Sequence, residues 1–102
     1  MIRHIVLFKF KPGYGWGDQA VSEAERIAAQ VGSEVPDLLH WQAGRNTSDR
    51  PIAYDFAVIG LVEDEAALDR YLVHPFHQQA IEKWRLISDW VVADIEEEPA
   101  LV

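Results

Sequence analysis

Three stretches of this chain alternate with large apolar side chains on both sides of the alternation. That two-sidedness restricts the fold more than any other feature. In residues 3–11, His4, Val6, Phe8 and Phe10 point one way, and Ile5, Leu7, Lys9 and Lys11 the other. In residues 54–63, Tyr54, Phe56, Val58 and Val62 oppose Ala57, Ile59 and Leu61. Residues 89–96 set Trp90 and Val92 against Val91, Ala93 and Ile95. A strand with one face in water carries polar residues on that face. These strands do not, so both faces of their sheet are expected to be covered at least in part. The side bearing His4 is otherwise apolar and is assigned to the intramolecular core.

The segments between the strands supply helices and turns. Residues 12–17, Pro-Gly-Tyr-Gly-Trp-Gly, read as a loop that lays Trp16 on a surface. Its glycine spacing matches neither the P-loop nor the dinucleotide fingerprint. Asp18 is expected to cap a helix reaching about residue 31, striped by Ala20, Ala24, Ile27, Ala28 and Val31 and stopped by Gly32. A turn at residues 35–37 leads to a strand over 38–45 and a polar loop over 46–51. Gly60, inside the third strand, marks a bulge or a close approach. Asp64 and Glu65 open a second helix carrying Ala67, Leu68, Tyr71 and Leu72. Proline is tolerated at the first position of a helix, so Pro75 ends this helix at His74 and begins another. The new helix carries His77, Ala80, Ile81 and Trp84 at one-face spacing. Residues 96–102 read as an acidic, solvated tail.

Strand, helix, strand, strand, interrupted helix, strand is the ferredoxin-like βαββαβ order. It predicts an α+β domain spanning residues 1–102, a four-stranded antiparallel sheet with its helices on one face. Helices on one face leave Ile5, Leu7, Ala57, Ile59, Leu61, Val91 and Ile95 on the other. An apolar face of that extent is unusual in a soluble monomer. A homodimer with two sheets packed face to face is therefore expected.

Charge and composition narrow the partners. The formal net charge is −8, with no basic run, which disfavours nucleic acid and anionic membranes. With no cysteine in the chain, disulfides, thiolate catalysis and Cys-type zinc sites are excluded. Neither a signal-peptide pattern nor a bilayer-spanning run is read in the sequence, and a cytoplasmic location is expected.

The densest chemistry lies in Tyr71-Leu72-Val73-His74-Pro75-Phe76-His77, which holds one phenol and two imidazoles. Enolisation beside a carbonyl needs a base near neutral pKa and a donor to the developing oxyanion. A histidine and a tyrosine supply these. In one straight helix, positions six apart point about 120° apart. The break at Pro75 removes that restriction and lets Tyr71 and His77 converge, with His4 joining from the sheet. Each has a plainer reading: Tyr71 as a core tyrosine, His77 as a satisfied buried histidine, His74 as a cap for the new helix, and His40 as a surface residue. His74 and His77 could face one ion, but no carboxylate sits beside them in sequence, and no metal site is assigned.

Residues 4–11 (His-Ile-Val-Leu-Phe-Lys-Phe-Lys), residues 54–58 (Tyr-Asp-Phe-Ala-Val) and the stretch 71–77 together resemble the stress-responsive A/B barrel (Dabb) family. The resemblance covers nearly the whole chain. It implies a dimeric α+β barrel of ferredoxin-like subunits. It also implies a divided function, since many members have no established activity and one plant member is a cofactor-free polyketide cyclase. By motif, the cyclase's tyrosine corresponds to Tyr71, its base to His77, and a first-strand histidine to His4. A third-strand histidine of the cyclase is replaced by Phe56 here. The resemblance thus gives His77, Tyr71 and His4 as catalytic candidates, and Phe56, Phe8, Trp84 and His74 as candidates for ligand contact. No cofactor is implied. Binding of a small apolar or aromatic carbonyl compound is the leading expectation. A cyclase- or isomerase-like activity and a ligand-free, stress-protective oligomer are the alternatives.

Overall fold

A computed structural model describes residues 1–98. The chain forms β1 (Ile2–Phe10), α1 (Gln19–Glu34), β2 (His40–Arg45), β3 (Phe56–Val62), α2 (Glu65–Val73), α3 (Pro75–Ile87) and β4 (Ser88–Glu96). The strands make one antiparallel sheet in the order β2-β3-β1-β4. This is the ferredoxin-like order and bears out the expected fold. Val6 lies opposite Val58 and Val92, and Phe8 opposite Phe56 and Trp90. Paired residues share a face, so these side chains form one layer. Val21, Ala24 and Ala28 of α1 and Trp84 and Ile87 of α3 close over it.

Several local expectations need correction. Asp18 precedes α1, but its carboxylate accepts from the Gly15 N–H at 2.7 Å and makes no helix cap. It tightens the glycine-rich loop instead. Ala20 is exposed, and Val21 takes its place in the buried stripe. Gly32 does not stop α1. The helix runs on to Glu34 and ends where the Val35 N–H reaches the Val31 carbonyl. Gly32 sits against the Trp41 indole, where an added Cβ would lie 2.7 Å from Trp41 Cβ. The glycine is there for contact, not for termination. Gly32→Ala is therefore expected to lower stability by about 1–2 kcal/mol despite alanine's better helix propensity. Urea unfolding followed by circular dichroism would measure it, and a stabilised variant would contradict the tight contact.

Gly60 is a close approach and not a bulge. Pairing runs through it unbroken, with His4 on one side and Trp41 on the other. A Cβ there would meet Leu38 Cδ2 at 3.0 Å. The acidic tail is not wholly solvated either: Arg3 donates to the Glu97 carboxylate at 2.6 and 2.8 Å. Residues 99–102 of that tail lie outside the described residues. The sheet face away from the helices carries Leu7, Val91 and Ile95, all exposed, with Ile5, Ile59 and Leu61 half-buried among them. Among the described residues no helix is long and apolar enough to cross a membrane.

Candidate functional site

Three elements bring Tyr71, His77 and His4 together. The Asp64 carboxylate caps α2 by accepting from the Ala67 N–H at 2.8 Å. That helix ends at Val73, and His74 adopts an extended backbone (φ −62°, ψ 134°). Proline disfavours a helical residue before it, which explains the break. The His74 ring then caps α3, its Nδ1 accepting from the Phe76 N–H at 3.1 Å. The change of direction sets the Tyr71 and His77 rings 4.1 Å apart, centre to centre. From β1, the His4 ring meets Tyr71 edge-on at 5.2 Å. All three residues are buried.

Hydrogen bonds fix the two imidazoles. His77 Nδ1 lies 3.1 Å from the Leu72 carbonyl, which also accepts from the Gln78 side-chain amide at 2.6 Å. A carbonyl can only accept, so Nδ1 carries the proton and Nε2 holds the lone pair of the neutral ring. His4 Nδ1 lies 2.5 Å from an Asp94 carboxylate oxygen, and the same reasoning applies to the ionised acid. Burial lowers the His77 pKa from its ordinary 6.5. The Leu72 carbonyl acts against this, and nearby His4 and His74 add to it. Burial pushes the Tyr71 phenol far above its ordinary value, and the charge on Asp94 adds to the shift. The tyrosine is thus a persistent donor, and the histidine is a neutral base at physiological pH.

These groups form the polar end of a cavity of about 120 Å³. Val6, Phe8, Val58, Trp84, Trp90 and Val92 are among the apolar residues that line the rest of it. The Trp84 and Trp41 indole N–H groups are spent on the Ala24 and Ala28 carbonyls, at 3.0 and 2.9 Å, so both rings offer only carbon surface. Leu72 and Val92 line the cavity and are also exposed, so it opens between the α2–α3 junction and the β4 edge.

Of the residues expected at the site, His4, Tyr71, His77, Phe8 and Trp84 line this cavity. Phe56 and His74 do not. Phe56 stacks on Trp84 (4.7 Å between centroids, 18° between planes), and Val58, two residues along the same face of β3, lines the cavity instead. The His74 ring is engaged as the α3 cap. Among the described residues no group of three or more His, Cys, Asp or Glu side chains is placed to hold a metal ion. Sequence reasoning missed Asp94. Its signal was a charge at the position where the helix-facing alternation Trp90, Val92 should continue.

A ferredoxin-like α+β subunit with this cavity between helices and sheet defines the structural class. The chain belongs to the stress-responsive A/B barrel domain (Dabb) family, whose model matches residues 2–97. An uncharacterised protein of Streptomyces coelicolor is 46% identical over 96 residues, covering 94% of this chain and 99% of that protein. A crystal structure of a dimeric ferredoxin-like protein of unknown function from Thermobifida fusca has a TM-score of 0.81 at 24% identity, covering 92% of this chain and 88% of that one. A hydroxynitrile lyase from Passiflora edulis has a TM-score of 0.79 at 14% identity, covering 99% and 96%, a likeness of fold alone.

Proposed function

We propose that this protein binds a small apolar or aromatic carbonyl compound in the cavity between its helices and sheet. The observation that carries this reading is an apolar cavity lined at its polar end by Tyr71, whose hydroxyl has no hydrogen-bond partner among the described residues and is not sealed from solvent. A carbonyl oxygen satisfies such a donor, and an aromatic or alkyl body fills the walls of Phe8, Trp84 and Trp90. Titration with acetophenone and related small ketones is expected to raise the melting temperature. In Tyr71→Phe the affinity should fall about two- to tenfold, the worth of one hydrogen bond. A melting temperature that no ketone moves would remove the binding reading.

A second reading follows from the tautomer of His77. With Nδ1–H held by the Leu72 carbonyl, the Nε2 lone pair can take a proton from the carbon beside the ligand's carbonyl. The C–H bond breaks, an N–H bond forms, and the electron pair moves onto the carbonyl oxygen, where Tyr71 donates a hydrogen bond. No cofactor enters this step, which is that of a cyclase or isomerase with His77 as base and Tyr71 as acid.

The protein is also proposed to act as a homodimer through the outer sheet face. Leu7, Val91 and Ile95 are between 38% and 50% exposed there, a patch that a second copy would cover. The Thermobifida fusca relative is described as dimeric. Sedimentation at micromolar concentration should give a dimer, and Leu7→Glu, which places a charge in both halves of the interface, should shift it to monomer. A wild-type monomer under those conditions would end this proposal.

A further inference from the structure

The polar end of the cavity has a definite inventory of open positions. Among the described residues no hydrogen bond occupies Tyr71 Oη, His4 Nε2 or His77 Nε2. No buried side-chain N or O atom among those residues lacks a partner, so these three atoms are not sealed off, and the residues that carry them line the cavity. Tyr71 offers one donor. Both imidazoles hold a proton on Nδ1, so each offers an acceptor at Nε2 when neutral. A plain ketone answers only the tyrosine. A hydroxyl carried beside the carbonyl also answers one imidazole.

The same end of the cavity has no surplus positive charge. Among the described residues no Lys or Arg lines it. Burial keeps His77 neutral near physiological pH. The His4–Asp94 pair sums to zero if the imidazole is protonated and to minus one if it is not. Asp94 stands behind His4 and lines a separate groove with Glu63, Asp64, Glu65, Asp69 and Glu96. A carboxylate entering here would shed its water and find no countercharge, which is strongly unfavourable.

We infer that the cavity selects an uncharged ligand bearing a hydroxyl beside its carbonyl, and that Asp94 is the residue that keeps carboxylates out. This rests on the carbonyl-binding reading above and specifies its ligand. Asp94 does both jobs from an edge strand: it orients His4 and places a negative charge one hydrogen bond behind that ring.

The test uses three probes of similar skeleton, acetophenone, 2-hydroxyacetophenone and benzoate, on the wild type and Asp94→Asn. Dissociation constants come from the NMR shifts of the Tyr71 and His77 rings. In the variant the amide oxygen can still accept from His4 Nδ1 while the charge is gone. The hydroxyketone should bind the wild type about two- to tenfold tighter than acetophenone. Benzoate should bind at least about tenfold weaker than acetophenone, and the variant should narrow that gap. Benzoate binding the wild type as tightly as acetophenone would overturn the charge selection, and an unchanged gap in the variant would overturn the role of Asp94. A hydroxyketone no tighter than acetophenone would overturn the hydroxyl requirement. Binding of acetophenone in any of these cases leaves the carbonyl reading standing, whereas silence from all three probes removes it and this inference together.

Discussion

Trp84→Ala is expected to cost about 3–5 kcal/mol of folding stability, the usual loss when a large buried aromatic is truncated. The side chain is 2% exposed and holds several layers together. It stacks on Phe56 at 4.7 Å, meets Phe8 at 4.5 Å, and donates its indole N–H across to α1 at Ala24. Alanine would leave a void beside a cavity that already exists, and an Ala24 carbonyl without its donor. A domain of this size is stable by only about 5–15 kcal/mol, so the variant should be marginal near body temperature. Urea unfolding followed by circular dichroism, with and without a saturating ketone, would measure the loss. A cost below about 1 kcal/mol would mean that the two helices collapse onto the sheet without this ring.

His77→Ala is expected to abolish proton abstraction while leaving the fold intact. The assay is deuterium uptake at the methyl group of acetophenone in deuterated buffer, read by NMR. Loss of a positioned general base slows such a step by about 10²–10⁴-fold. Loss of the oxyanion donor in Tyr71→Phe should cost about 10²–10³-fold. The pH profile carries a second signature. On the proposed mechanism the neutral ring acts as the base, and burial places its pKa below the ordinary 6.5, so activity should persist through that value and fall only at lower pH. Stability follows the same linkage. Below 6.5 the unfolded chain binds the proton more readily than the folded one, so this residue's contribution declines as pH falls through and below that value. Wild-type exchange no faster than buffer would leave a binding protein, and full exchange in His77→Ala would assign the base elsewhere.

The fold was legible because its evidence is periodic. Two-sided strands, an acidic helix start at Asp64 and the proline at residue 75 each leave a local mark, and their order admits one common sheet plan. Tyr71, His77 and His4 were also legible, as proton-transfer groups near a helix break and on a core-facing strand. Asp94 was not, because its role depends on the register that sets β4 beside β1, and register is a long-range property. The displacement of Phe56 by Val58 has the same origin. Both sit on one face of β3, and only the pairing of Phe56 with Phe8 shows which lies at the aromatic end. Gly32 misled for a different reason: a glycine near a helix end reads as a stop, and the Trp41 indole that requires it is nine residues away in sequence.

The two donors on the Leu72 carbonyl have a mechanical consequence. Tyr71 rides on α2 and His77 on α3, and the chain between them is a single extended residue beside a proline. One oxygen atom on α2 receives both His77 and Gln78, so it acts as a cross-brace between two short levers. The angle between the helices and the direction of the His77 lone pair are therefore the same variable. Gln78, an exposed residue outside the cavity, becomes a strut whose loss would let Tyr71 and His77 drift apart while every atom of both remained in place.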